Sequence, residues 1–127
     1  MELRQELRPD HLFVHASGPF DLRQARAALQ AVIRACIEAR LTRILVDGRE
    51  VTTTISIADR YELATQLAGL GHGRVRMAIV MSAANLFTKT FEDTALNRGV
   101  PMRTTGSLNE ALEFLQLAPG VGQGPRA

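Results

Sequence analysis

The sequence predicts an α/β fold, in which one open, mostly parallel five-stranded sheet carries helices on both faces. Short apolar runs typical of strands alternate with longer segments in which apolar residues recur with the helical period. The resulting order, ββαβαβαβα, implies right-handed crossovers between parallel strands, with only the first strand antiparallel. At 127 residues the chain has the length of about one domain.

The first two strands are predicted to form a hairpin. Leu3 and Leu7 alternate with charged neighbours, which is the period-2 pattern of a half-buried strand. Residues 8–11 hold Pro9 at a favourable turn position, and residues 12–16 have the apolar content of a more buried strand. The first strand is therefore expected at or near an edge of the sheet.

A long amphipathic helix is predicted over residues 22–40. Asp21 can act as its N-cap, because the carboxylate accepts a free backbone N–H of the first turn. The inward stripe has the i, i+3, i+4 spacing of a helix packed on a sheet. It consists of Leu22, Ala25, Leu29, Val32, Ile33, Cys36 and Ile37.

The middle of the chain is predicted as strand, loop, helix and strand. Residues 44–46 form a short apolar run typical of a strand buried on both faces, and residues 47–54 are predicted as a loop. Ser56 is the expected cap of a helix that continues to about residue 70. Residues 75–81 form the next apolar strand.

The last third predicts a helix over residues 86–98, a short strand at 102–105 and a final helix. Gly99 suits the end of the first of these helices, while Ser107 and Glu110 have the spacing of a capping box before the second. The expected domain is 1–117. Residues 118–127, rich in Gly and Pro, are expected to form a loose tail.

Composition and charge argue against several functional classes. The net charge is only +2, although the pI is 9.3, because fourteen of the fifteen basic residues are arginine. These arginines are scattered among acidic residues and there is no Trp, so a nucleic-acid surface is not expected. No apolar run reaches the length of a membrane span. The single Cys and the absence of a signal-like start suggest a cytoplasmic protein.

The connections that follow the parallel strands are the predicted functional region. In open α/β sheets, binding sites gather at the carboxyl ends of the strands, where helix N-termini favour anions. The expected partner- or anion-binding residues are Asp47, Arg49, Thr52, Thr53, Thr54, Ser56, Ser82 and Asn85. The alternative is that Asp21, Ser56, Asn85 and Ser107 are ordinary N-caps.

The hydroxyl-rich stretch before the second helix suggests regulation. A phosphate on Thr54 or Ser56 would lie near a helix N-terminus and change the surface that a partner contacts. The alternative is a Thr-rich loop with local hydrogen bonds only.

The sequence predicts no catalytic or metal site. The histidines, His11, His15 and His72, fall in a turn, a strand and a Gly-rich loop, and Cys36 lies on the inward stripe of the first helix. His15 is interpreted as structural, and no cofactor is expected. Met77, Met81, Phe87 and Phe91 either line an apolar ligand pocket or belong to the core.

The element order over about residues 3–116 resembles the sulfate transporter and anti-sigma-factor antagonist (STAS) domain, especially its SpoIIAA-like branch. The strand at 43–47 and the ending 98–103, continued by Ser107, Ala111 and Leu115, carry the likeness. The resemblance implies a non-enzymatic module that binds protein partners. In some relatives a kinase and a phosphatase act on a serine at the start of the second helix. Here Ile57 stands at that position, Ile55 stands where an Asp is expected, and Ser56 precedes Ile57.

Two functional hypotheses follow. The first is a regulatory protein-interaction module that uses the loop and helix start after the third strand; a homodimer through a helix layer is compatible with it. The second is a small apolar-ligand or lipid-binding domain, because the SpoIIAA-like branch is structurally akin to lipid-carrying domains.

Overall fold

The computed structural model describes residues 2–53, 56, 58–59, 62, 75–82 and 101–117. Its strands are β1 (Glu2–Leu7), β2 (Leu12–Gly18), β3 (Arg43–Val51), β4 (Arg76–Met81) and β5 (Met102–Thr105). The helices are α1 (Leu22–Glu38) and α2 (Leu108–Leu115). Among the described helices, none combines the length and the hydrophobicity needed to cross a lipid bilayer.

The five strands form one sheet in the order β1-β2-β3-β4-β5. β1 pairs antiparallel with β2, whereas β2, β3, β4 and β5 run parallel to one another. The hairpin turn is closed by the backbone N–H of Arg8, which donates to the carbonyl of His11 at 3.0 Å. The predicted mixed sheet and its antiparallel first strand are confirmed.

Each face of the sheet carries its own apolar core. Alternating side chains of the strands place Val14, Ile44 and Met77 against α1, together with the inward stripe of that helix. On the opposite face, Leu45 and Val80 pack against α2. The prediction that helices cover both faces is therefore confirmed.

Helix α1 begins where its local sequence predicts. The backbone N–H of Gln24 donates to Asp21 Oδ1 at 2.8 Å, and the backbone N–H of Asp21 donates to Gln24 Oε1 at 3.0 Å. Asp21 is thus the N-cap of a complete capping box.

Both described helices end in the same motif. After α1, Arg40 has a φ of 60° and Leu41 N–H donates to the carbonyl of Cys36, so the helix ends at Glu38 and not at the expected residue 40. After α2, Gln116 has a φ of 59° and Leu117 N–H donates to Leu112. These are Schellman endings in which a non-glycine residue takes the left-handed position.

The predicted helices between β3 and β5 lie mostly outside the described residues. Ala58, Asp59 and Glu62 are helical, in agreement with a helix that follows Ser56. The expected helix at 86–98 and the tail at 118–127 fall outside the described ranges.

Candidate functional site

The carboxyl ends of the four parallel strands lie together at one end of the sheet, as their parallel pairing requires. We use the word rim for this end of the sheet and for those of the residues predicted there that the structure describes. These are Asp47, Arg49, Thr52, Thr53, Ser56 and Ser82. Thr54 and Asn85, which were predicted at the same place, lie outside the described residues.

Strand β3 is longer than the sequence predicts. Residues 47–51, expected in a loop, continue the strand to Val51, because Glu50 and Val51 pair with Ser17 and Gly18 of β2. The expected loop is therefore wrong over these five positions, and the chain leaves the sheet at Thr52. Asp47 and Arg49 are strand residues.

A β-bulge shapes this extension of β3. His15 pairs with Asp47, but Ser17 pairs with Glu50, so two steps along β2 match three steps along β3. The extra residue bends a strand and redirects its side chains. Beyond Gly48, β3 pairs only with β2, because its pairing with β4 ends at Gly48 and Met81.

Asp47 and Arg49 form a bidentate ion pair within β3. Arg49 Nε donates to Asp47 Oδ1 at 3.0 Å, and Arg49 Nη2 donates to Asp47 Oδ2 at 2.9 Å. Burial acts to raise the pKa of Asp47, but hydrogen bonds from the side chain and backbone of Arg49 outweigh it and hold that pKa below 3.8. The charge of Arg49, the predicted cation of an anion site, is thus compensated by its neighbour.

His15 and Glu50 form a second polar contact beside this pair. The Nε2–H of His15 donates to Glu50 Oε2 at 2.6 Å. Sequence reasoning interpreted His15 as structural and did not single out Glu50. The two residues are 35 positions apart, and only the parallel pairing of β2 with β3 brings them together.

The chain after β3 is tied to the connection between β2 and α1. The backbone N–H of Thr52 donates to the carbonyl of Gly18 at 3.1 Å. The backbone N–H of Phe20 donates to Thr53 Oγ1 at 2.9 Å. The connections that follow β2 and β3 therefore meet at the rim through direct hydrogen bonds.

Ser56 acts as the predicted cap. Its Oγ accepts a hydrogen bond from the backbone N–H of Asp59 at 3.1 Å, and the residue is exposed. Its capping contact does not involve Asp47, and none of the described hydrogen bonds or ion pairs joins these two residues.

The connection from β5 to α2 differs from the capping box that the sequence predicts. Ser107 Oγ accepts from the backbone N–H of Glu110 at 3.3 Å, as expected. The Glu110 carboxylate, however, accepts from the hydroxyl of Thr105, and Ser107 N–H donates to that same hydroxyl oxygen at 3.0 Å. Thr105 competes for the carboxylate, so only half of the box forms.

Cys36 and His11 are both buried, one in the core and the other in the hairpin turn. Cys36 is buried in the core, as predicted, and burial raises the pKa of its thiol to about 11. His11 is buried in the turn, with Nδ1 2.7 Å from Asp10 Oδ1. Within the described ranges, no three or more His, Cys, Asp or Glu residues are placed to hold a metal ion.

The amino ends of the strands border a cleft of 660 Å³. Arg43 and Arg76 line it, and both guanidinium groups donate to the last carbonyls of α2, which stabilises that helix end. Met77 and Met81, which the sequence suggested as pocket-lining residues, are not among the residues that line this cleft. Met77 and Met81 are buried in the core on the α1 face, while Phe87 and Phe91 lie outside the described residues.

Comparison with solved structures identifies the fold. An anti-sigma factor antagonist from Mycobacterium paratuberculosis superposes with a TM-score of 0.57 at 21% identity, covering 91% of this chain and 93% of that one. An uncharacterized protein with a SpoIIAA-like fold from Shewanella loihica PV-4 matches at 16% identity and a TM-score of 0.42, covering 90% of this chain and 92% of that one. No family model and no curated protein matches the sequence.

The first of these structures confirms the fold that the sequence resemblance implies. The likeness extends over about nine tenths of both chains, so this chain has the fold of an anti-sigma factor antagonist over nearly its whole length.

Proposed function

We propose that this protein is a non-enzymatic regulatory module that binds a protein partner through the rim, at the segment that leaves β3 and enters the next helix. Thr52 and Ser56 are its central contact residues. The structural neighbour with the same fold is named for antagonising an anti-sigma factor, so an anti-sigma factor is the first class of partner to test.

The geometry of the Thr52–Thr53 segment is the observation that carries this proposal. The hydrogen bonds Thr52 to Gly18 and Phe20 to Thr53 hold the segment against the end of the sheet, while Thr52 itself is exposed. A segment that is fixed before binding loses less conformational entropy when a partner docks. Exposed side chains on a fixed backbone are what a protein-binding loop requires.

The electrostatics of the rim favour a protein partner over a free anion. Arg49 is paired with Asp47, and Glu50 adds a second carboxylate that contacts His15. A compensated group of charges of both signs suits a polar protein interface, where opposite charges can match.

Ser56 offers a route to regulation of the same surface. It is exposed, and its hydroxyl already lies at a helix start, where a phosphate is electrostatically tolerated. Modification at Ser56 would add negative charge at the centre of the proposed contact. Thr54, the other candidate, belongs to the same segment of sequence.

The test begins with chemical cross-linking and affinity capture of the partner, followed by titration of the purified partner by calorimetry. Ser56→Asp keeps a good N-cap but places a carboxylate at the rim, and Thr52→Arg adds bulk where the side chain is exposed. We expect each variant to weaken binding at least about tenfold, a loss typical of a central contact residue.

Ser107→Asp is the matched control, because Ser107 is also an N-cap but follows β5, two strands away from β3 along the rim. It should bind like the wild type. Equal affinities for Ser56→Asp, Thr52→Arg and Ser107→Asp would exclude the segment after β3 as the contact surface.

A further inference from the structure

Strand β1 forms an open edge of the sheet. It pairs only with β2, and within the described part of the chain no strand lies along its other side. In an antiparallel pair, successive residues direct their backbone groups alternately toward and away from the partner strand. Arg8 bonds to His11 across the hairpin, so the alternation directs the N–H and C=O groups of Leu3, Gln5 and Leu7 outward.

The same edge carries an apolar side chain that the monomer leaves uncovered. Leu7 is 64% exposed and is the exposed large hydrophobic residue of the described chain. It lies on the same face of β1 as Leu3, which packs at the margin of the core beneath α1. A leucine placed beside Leu3 and Leu7 would extend that core sideways.

The sequence of this edge is complementary to itself in reverse. Residues 2–8 read Glu-Leu-Arg-Gln-Glu-Leu-Arg. When two copies align antiparallel about Gln5, each Leu3 meets Leu7 of the other copy, and each Arg4 meets Glu6. Glu2 likewise faces Arg8, and Gln5 faces its own copy. We propose that β1 of two chains pair edge to edge about Gln5, giving a two-fold dimer with one continuous ten-stranded sheet.

The backbone geometry fits this register. The outward groups belong to Leu3, Gln5 and Leu7, which are the residues placed opposite one another in the two copies. The pairing supplies about six main-chain hydrogen bonds arranged around the two-fold axis. The contact is isologous, so it closes after two copies.

The charges select this register over its neighbours. A shift by two residues toward the amino end places Arg4 on Arg4 and Glu2 on Glu6 of the other copy. A shift toward the carboxyl end places Glu6 on Glu6 and Arg4 on Arg8. Like charges directly opposite in a sheet are destabilising, whereas opposite charges stabilise. Charged residues on an edge strand normally prevent pairing. In the register centred on Gln5, however, no two like charges lie opposite each other.

A six-residue edge gives a small interface, so the dimer is expected to be weak and reversible, with a dissociation constant on the order of micromolar. Sedimentation velocity of the full chain over concentrations centred on that value measures it. Circular dichroism reports whether each variant is folded.

Charge exchange tests the register directly. Arg4→Glu places Glu opposite Glu6 twice in the symmetric contact and should weaken the dimer about tenfold or more. The double variant Arg4→Glu/Glu6→Arg restores opposite charges between the two copies and should dimerise more tightly than Arg4→Glu alone. It also removes the carboxylate that accepts from Arg8 Nε at 3.1 Å within each strand, so Glu6→Arg alone is measured beside it. Arg23→Glu, on the exposed side of α1, is the charge-matched control and should behave as wild type.

Gln5→Pro tests the backbone hydrogen bonds. Its N–H faces outward, so proline leaves the pairing with β2 intact but removes a donor at the two-fold axis. A folded, monomeric Gln5→Pro supports the proposal. A monomeric wild type at every concentration, a dimer insensitive to Gln5→Pro, or a double variant that dimerises no more tightly than Arg4→Glu alone overturns it.

Discussion

Asp47 and Arg49 lie two residues apart on the bulged end of β3. The Arg49 guanidinium donates two hydrogen bonds, of 2.9 and 3.0 Å, to the Asp47 carboxylate. The pair lies near the end of β3, just before the proposed contact segment. Asp47 has a side-chain exposure of 13%, whereas Arg49 is 47% exposed. The Asp47 carboxylate is the more buried of the two, so its ionised form depends more on the hydrogen bonds of the pair.

Replacing Arg49 with Met should raise the pKa of Asp47 from its lowered value. The hydrogen bonds of the Arg49 side chain are lost, and the burial that opposes ionisation remains. Carbon-detected NMR titration of the Asp47 carboxyl measures the change. Arg103→Met, on the exposed side of β5, should leave that pKa unaltered.

The same pair predicts an acid dependence of stability. The pKa of Asp47 is lowered in the folded state, so its contribution is complete above pH 3.8 and is lost as the pH falls through the folded pKa. Denaturant unfolding at several acidic pH values should show this dependence in the wild type. Arg49→Met should show a smaller loss over the same interval; an equal loss would contradict the prediction.

Thr53→Val should lower the free energy of unfolding by about 1 kcal/mol, the usual contribution of one hydrogen bond. The substitution removes the Oγ1 acceptor that holds the N–H of Phe20 and keeps the branched shape of the side chain. Thr52→Val is the control, because the exposed Thr52 contributes to the same connection through its backbone N–H. Urea denaturation compares the two, and equal losses would rule out the Thr53 tie.

Gln116→Gly should stabilise the protein by up to about 1 kcal/mol, because glycine takes the left-handed backbone without the steric cost that a side chain carries. Gln116 has a φ of 59° at the end of α2 and is exposed. Glu113→Gly, inside the same helix, should instead destabilise by about 1 kcal/mol. Thermal unfolding should move in opposite directions for the two variants.

The thiol of Cys36 should react slowly with a disulfide reagent at neutral pH. Burial raises its pKa to about 11, so little thiolate forms, and the surrounding core blocks access. The reaction should become fast once the protein is unfolded in urea. Fast modification of the native protein would show that this part of α1 opens readily.

Local patterns predicted the elements whose determinants are close together in the sequence. Asp21 and Gln24 are three residues apart, so the helix start could be recognised from the residues alone. The length of β3 could not, because Asp47 and Gly48 resemble a turn. The strand continues there because Asp47 and Gly48 pair with β4, and Glu50 and Val51 pair with Ser17 and Gly18 of β2, all of them distant in sequence.

The candidate site divides in the same way. Ser56 was correctly predicted as a cap from its position before a helical pattern. The His15–Glu50 contact and the tie between Thr53 and Phe20 join residues more than thirty positions apart, and they depend on strand pairing and chain direction. A sequence taken alone gives the elements, but it does not give these cross-connections.

Amide hydrogen exchange of the complex with the cross-linked partner tests the central proposal most directly. Binding at the rim should slow exchange between Thr52 and Ser56 and at the Phe20 amide, which bonds to Thr53, and should leave the cleft bordered by Arg43 and Arg76 unchanged. Protection that is confined to this cleft, with exchange at Thr52 and Thr53 equal in the free and bound protein, would contradict the account.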